Sequence, residues 1–169
     1  MGYNFKTACL TFICMVFLMS GSASAVQIGK PAPDFTVNDI DGIKFHLGDF
    51  KGKVVILNFW STTCTPCVAE MPGLNTLYRD LKGNGLAVLG VSLDSSSKPV
   101  RDLRDRQHIA YPLLMDSQQE VYFDTYALFG QPVSIVVDRS GMVQEKLLGQ
   151  VDWSSAQIRN KIITLLKGH

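Results

Sequence analysis

Two cysteines, Cys64 and Cys67, stand three positions apart in the run Trp60-Ser61-Thr62-Thr63-Cys64-Thr65-Pro66-Cys67. A pair at this spacing can close into a disulfide and reopen to two thiols, which is the chemistry of thiol–disulfide exchange. The loop that the bridge closes is too short to constrain much of the unfolded chain, so its use is chemical rather than structural. The setting sharpens this expectation. Val54–Trp60 reads as a buried strand, and helical spacing begins at residue 65. Cys64 therefore falls just before a helix or in its first turn. There, free backbone N–H groups and the positive end of the helix dipole favour a thiolate. Pro66 suits the first turn, where its missing N–H removes no bond. Cys64 is expected to be the exposed nucleophile, and Cys67, one turn on, the more buried thiol that resolves a mixed disulfide.

Other residues have two readings each. Glu70 lies three positions after Cys67, close enough along a helix to relay a proton to or from that thiol; it is equally placed to be a solvated helix glutamate. Pro132, in Gly130-Gln131-Pro132-Val133, is either an ordinary turn proline or a cis proline facing the cysteines. In the second case the backbone of Gln131 is left to bond an extended partner. Trp60 shields the active loop or belongs to the core. Asn58, a polar residue in a buried strand, must find hydrogen-bond partners at the site or within the fold. The expected substrate-contacting set is Trp60, Thr65, Pro66, Gln131 and Pro132, with Cys64, Cys67 and Glu70 catalytic. A four-ligand zinc site needs two more Cys or His. After residue 25 the chain offers only His46, His108 and His169, so no metal and no cofactor are expected.

The elements that would position these residues alternate between strand and helix. Phe35–Val37 and Lys44–Leu47 read as short strands about an Asp41-Gly42 turn. Residues 65–82 carry Val68, Met71, Leu74, Leu77, Tyr78 and Leu81 on one face, with a kink expected at Pro72. Leu86–Leu93 is a second buried strand, and a strand–helix–strand unit implies parallel pairing. A charged helix over Lys98–Gln107, a strand over Tyr111–Met115 and a short helix over Gln118–Tyr126 follow. Val133–Val137 and Val143–Leu148 form an antiparallel pair. A last helix, capped by Ser154 or Ser155, runs to Leu166.

Length and composition agree with one domain. The chain has 169 residues, 46% hydrophobic and 18% charged, and a formal net charge of +1, which gives no bulk electrostatic case for nucleic acid. Residues 1–25 stand apart. One lysine, an apolar run over Thr7–Met19 and Ala23-Ser24-Ala25 make the pattern of a secretory signal, or of an anchor left uncleaved. Cys9 and Cys14 would leave with it, so a single pair would remain in residues 26–169. Export would place that domain in the periplasm or on the exterior of the cell envelope.

Pro33-Asp34-Phe35, Gly52-Lys53, Asn58-Phe59-Trp60, Cys64-Thr65-Pro66-Cys67, Glu70, Pro72, Gly130, Pro132, Asp138 and Gly141 together carry a resemblance. From about residue 28 onward the chain resembles the exported thioredoxin-like family typified by TlpA and ResA, which includes cytochrome c maturation thioredoxins. The resemblance implies an α/β, thioredoxin-like fold, a mixed central sheet with helices on both faces. It implies a cis peptide before Pro132, Cys64 as nucleophile, Cys67 as resolving thiol and Glu70 as the acid that helps set thiol reactivity. Asn58 stands where cytoplasmic thioredoxins carry a buried aspartate. The segment from about Ser95 to Tyr126 corresponds to the family's insertion. Implied partners are disulfides or dithiols of exported proteins, apocytochrome c among them, and a membrane thiol–disulfide electron donor, with the chain acting as a reductant. Two positions depart from the pattern: Thr63 replaces the usual tryptophan before the nucleophile, and Val133 the usual threonine after the proline. A thiol peroxidase of related fold is an alternative, but Leu57 and Ser61 occupy the positions where its proline and threonine belong. A copper-delivery protein of the same fold is another, but it separates its cysteines by three residues rather than two.

Overall fold

The computed structural model describes residues 26–168. The expected signal or anchor segment, with Cys9 and Cys14, lies outside the described residues, as does His169.

A small antiparallel hairpin, β1 (Thr36–Asn38) and β2 (Lys44–His46), comes first. Its turn is tied by the Asp39 carboxylate, which accepts the N–H groups of Asp41 and Ile43 at 2.8 Å each. The main sheet then takes shape around β3 (Val54–Trp60), all seven residues of which are buried. Helix α1 (Thr65–Leu81) carries the chain over to β4 (Leu86–Ser92), and α2 (Ser97–Gln107) to β5 (Leu113–Met115). β6 (Val133–Val137) and β7 (Val143–Leu148) return antiparallel, and α3 (Ala156–Lys167) closes the chain. The order across the sheet is β5-β4-β3-β6-β7, with β3, β4 and β5 parallel. This is the thioredoxin-like arrangement, with a mixed sheet flanked by helices.

The alternation of β3 divides the core in two. Val54, Ile56 and Trp60 point to the face that packs Met71, Leu74 and Leu77 of α1, Val100 and Leu103 of α2, and Ile162 of α3. Val55, Leu57 and Phe59 point to the other face. There they meet Phe35, Leu47, Tyr122 and Tyr126, drawn from the N-terminal segment and two short helical turns. Each fully buried side chain of the Leu74 kind contributes roughly 1.5–3 kcal/mol. Gly90 of β4 is required by close approach: a Cβ there would lie 2.8 Å from the Leu113 side chain and 3.2 Å from the Trp60 indole nitrogen.

Three local features refine the expected elements, and one of them, over residues 118–126, departs from the expected helix. α1 runs through Pro72 as one element. Pro72 is exposed, so the Val68 carbonyl that it leaves without a helical N–H can meet water. Residues 118–126 do not form an ordinary helix. The Asp116 carboxylate accepts the N–H groups of Val121 and Tyr122 at 3.2 and 2.9 Å, and Gln119 is left-handed at φ 59. The result is a wide π-type turn over Glu120–Thr125, closed by Tyr126 N–H donating to the Val121 carbonyl at 2.9 Å. At the last helix, Ser155 rather than Ser154 is the cap, its hydroxyl accepting the Ile158 N–H at 3.4 Å.

Candidate active site

β3 ends at Trp60, and the chain must turn within Ser61–Thr63 to enter α1. Asp94, just after β4, holds that turn. Its carboxylate accepts the Thr62 N–H at 2.9 Å and the Thr62 hydroxyl at 2.6 Å. Ser92 steadies Asp94 in return: the Ser92 hydroxyl donates to the carboxylate at 2.7 Å and accepts the Asp94 N–H at 3.1 Å. Asp94 did not stand out in the sequence. The signal available was an acid at the carboxyl end of a buried parallel strand, where sites in open α/β sheets gather.

Cys64 is the N-cap of α1, in extended conformation (φ −86°, ψ 97°). Its sulfur accepts the Cys67 N–H at 3.3 Å, in place of the oxygen that an ordinary cap supplies. Cys64 and Cys67 form a disulfide, with Cα atoms 5.2 Å apart. Their environments differ: Cys64 is half-buried and Cys67 is fully enclosed. Thr65 and Pro66, between them, are exposed.

Glu70 is buried, at 3% exposure, which removes the solvated-surface reading. One carboxylate oxygen accepts the Asn58 amide at 2.7 Å and the other the Val151 N–H at 2.8 Å. Desolvation raises its pKa above the ordinary carboxylate value, against the opposing pull of the Val151, Asn58 and Trp153 donors. The Trp153 indole N–H acts on Glu70 as a nearby dipole and makes no hydrogen bond of normal geometry among the described residues. A cavity of about 430 Å³, bounded by Ala69, Glu70, Gly73, Val151 and Trp153 among others, lies beside α1. Asn58, also fully buried, donates to the Ser134 hydroxyl at 2.9 Å, its cross-strand neighbour on β6. The two readings of Asn58 merge, since it ties the sheet to the acid beside the cysteines.

The loop ahead of β6 closes the other side. The Gln131–Pro132 peptide is cis. The Ser61 hydroxyl donates to the Gln131 side-chain oxygen at 2.8 Å, joining this loop to the one before Cys64. Gly149 N–H donates to the Pro132 carbonyl at 2.9 Å, and Tyr122 O–H to the Gly130 carbonyl at 2.5 Å. Gln131 is half-buried and Pro132 buried. Trp60, expected among the substrate contacts, is fully buried beneath the loop. It supports the site from below and has no surface to offer a partner. His46 lies apart, its ring 2.7 Å from the Asp34 carboxylate.

Residues 28–146 match the family model described as AhpC/TSA family. The chain is 38% identical over 125 residues to the thiol–disulfide oxidoreductase ResA of Bacillus thuringiensis (strain Al Hakam), covering 74% of this chain and 72% of that protein. The chain belongs to the ResA-like thiol–disulfide oxidoreductases. Solved structures agree. The thioredoxin domain of a thiol-disulfide oxidoreductase from Bacteroides vulgatus superposes with a TM-score of 0.74 at 26% identity, covering 84% of this chain and 99% of that one. A thiol:disulfide interchange protein of the thioredoxin family from Chlorobium tepidum gives 0.73 at 28% identity, covering 84% and 99%. As a ResA-like oxidoreductase, the protein has the Cys64–Cys67 disulfide as its redox centre and exchanges disulfides enzymatically. Among the described residues, no group of three or more His, Cys, Asp or Glu is placed to hold a metal ion. Among them also, no helix is long and apolar enough to cross a membrane.

Proposed function

We propose that the protein reduces disulfides of exported proteins, with Cys64 attacking, Cys67 resolving and Glu70 managing the proton. The observation that carries this reading is the unequal burial of the pair. A partner sulfur can approach half-buried Cys64 at the helix N-terminus, but not enclosed Cys67 beside Glu70. In the reduced protein, the Cys64 thiolate attacks one sulfur of the partner disulfide. A Cys64–partner bond forms, the partner S–S bond breaks, and the first partner thiol leaves with a proton from water. The Cys67 thiol then passes its proton to the Glu70 carboxylate, and its thiolate attacks the Cys64 sulfur. The Cys64–Cys67 bond forms, the Cys64–partner bond breaks, and the second partner sulfur leaves as a thiolate that takes a proton from water. Two electrons have moved to the partner, and the protein is left in the disulfide form of this structure.

Residues 1–25 serve as an export signal, or as an anchor that keeps the domain at the cell-envelope exterior or in the periplasm. Apocytochrome c, whose haem-attachment cysteines must be reduced, is the partner that the resemblance favours. A membrane thiol–disulfide donor would restore the dithiol. Mixing the reduced protein with a peptide disulfide tests the core of this reading. One peptide disulfide should be consumed for each Cys64–Cys67 bridge formed. A peptide disulfide left intact while the protein stays reduced would overturn it.

A further inference from the structure

We infer that the surface around Cys64 docks a cationic, extended polypeptide carrying an apolar side chain beside its disulfide, with Phe129 and Phe123 as the apolar seat. This deepens the exchange reading and rests on it. Phe129 is 79% exposed and Phe123 44%, with ring centroids 6.1 Å apart. Phe123 also packs edge-on against Tyr122 at 4.8 Å. Large aromatics turned to water on a fixed backbone mark contact surfaces.

The backbone here is fixed. Leu128 is buried, and its N–H donates to the Tyr122 carbonyl at 2.9 Å. Ala127 is held left-handed at φ 48, a conformation that costs a non-glycine residue about 1 kcal/mol or more. Leu128 inward and Phe129 outward are thus two consequences of one constrained turn. The patch is joined through the chain to the loop that faces the redox centre. Phe129 lies two residues before Gln131, whose side chain is bonded to Ser61 in the loop leading to Cys64. No backbone hydrogen bond of Gln131 is formed within the described residues, so its edge is open to an extended chain.

Charge selects the partner. The loops at this end of the sheet are residues 61–64, 93–97, 116–132 and 149–155. They contain Asp94, Asp116, Glu120, Asp124 and Asp152 and not one Lys or Arg, although the whole chain has 16 Lys and Arg against 15 Asp and Glu. Asp116 is turned inward onto backbone N–H groups, whereas Glu120, Asp124 and Asp152 are exposed. Lys98, just beyond these loops on α2, is bridged to Asp102. An aromatic seat on loops that carry acids and no Lys or Arg complements an apolar side chain flanked by Lys or Arg, and such complementarity acts mainly on the rate of encounter.

The test uses the reduced full chain in single-turnover exchange with peptide disulfides. The peptides carry Phe beside the cysteine and are flanked by Lys, Ser or Glu, with hydroxyethyl disulfide as a small uncharged control. At low salt the Lys peptide should react about tenfold or more faster than the Glu peptide, and the ratio should fall toward one at high salt. Phe129→Ala should slow the Phe-bearing peptides roughly five- to tenfold and leave hydroxyethyl disulfide unchanged. The double variant Glu120→Lys, Asp124→Lys should bring the rates of the Lys and Glu peptides together at low salt. Equal rates for Lys and Glu peptides with the parent, or unchanged peptide rates in Phe129→Ala, would overturn the inference. A self-associated parent that becomes monomeric in Phe129→Ala would also overturn it, by assigning the patch to a second copy of the chain. A parent inert even toward hydroxyethyl disulfide would instead remove the exchange reading beneath it.

Discussion

Replacing Glu70 with Gln removes one buried charge while keeping the side chain's length and shape. The neutral amide can still accept the Val151 N–H that the carboxylate accepts at 2.8 Å. Its NH2 group can donate to Asn58 once the Asn58 amide turns, since the Asn58 side-chain oxygen has no partner among the described residues. The fold should therefore persist. Glu70 and Cys67 are three residues apart on α1, a spacing that puts Cβ atoms about 5–6 Å from each other. Two like charges at that distance repel by roughly 3 kcal/mol at an effective dielectric of about 20, equivalent to about two pKa units. Removing the carboxylate charge should thus move thiolate formation at Cys67 toward acid by up to this amount. The same substitution removes the proton acceptor, and loss of a positioned general base slows a step by about 10²–10⁴-fold. The two effects oppose each other in pH and so can be separated. Ultraviolet thiolate absorbance of the reduced protein reads the first, and single-turnover decay of the mixed disulfide reads the second. Resolution in Glu70→Gln should be slow at neutral pH and recover as the solution becomes basic enough to ionise Cys67 unaided. Superimposable pH profiles for parent and variant, in both readouts, would refute the role of Glu70.

Glu70 also sets a pH dependence of stability. Burial raises its pKa in the folded state above the ordinary value of 4.5, so between the two values the folded chain binds more protons than the unfolded one, and stability falls as pH rises through that window. Glu70→Gln lacks this slope. Thermal unfolding of the oxidised proteins should show the variant gaining on the parent from about pH 4 upward, and parallel curves would contradict the argument. Asp94→Ala removes the acceptor of both Thr62 bonds; unfolding in urea should show a loss of about 1–3 kcal/mol, and an unchanged midpoint would mean that the active loop needs no such tie. The Cys64–Cys67 pair, if it works as a reductant, should equilibrate with glutathione at a potential nearer about −270 mV than about −120 mV; a value at the oxidising end would reverse the direction of electron flow. N-terminal sequencing after cell fractionation should find the domain outside the cytoplasm, and full-length protein in the soluble cytoplasm would contradict export.

Much of this architecture was legible in the sequence because burial writes a strong pattern. The apolar run Val54–Trp60 is buried at every position, and the helical spacing of Met71, Leu74, Leu77 and Leu81 matches the buried face of α1. The cysteine pair was legible because strand, tight loop and helix follow in consecutive residues. What escaped was long-range or set by a single side chain. Glu70 is held by Asn58, 12 residues away, and by Val151, 81 residues away; spacing along one helix could not tell this enclosed acid from a solvated one. The π-type turn at Glu120–Thr125 depends on one carboxylate, that of Asp116, capturing two N–H groups that a regular helix would have used elsewhere. Trp60, just before the active loop, is open in the sequence to two readings, a shield over that loop with a place among the substrate contacts, or a core residue. The alternation of β3 turns it into the core with Val54 and Ile56.

The division of labour between the two cysteines is the centre of this account, and trapping tests it most directly. Cys67→Ser and Cys64→Ser variants, each reduced and offered the same peptide disulfide, would be quenched with acid and mapped by mass spectrometry. Cys67→Ser should accumulate a stable mixed disulfide at Cys64, because the half-buried thiol at the helix N-terminus can attack and nothing remains to resolve the product. Cys64→Ser should remain unmodified, because Cys67 is fully enclosed. A mixed disulfide forming equally fast at Cys67 in the Cys64→Ser variant would contradict the assignment of roles.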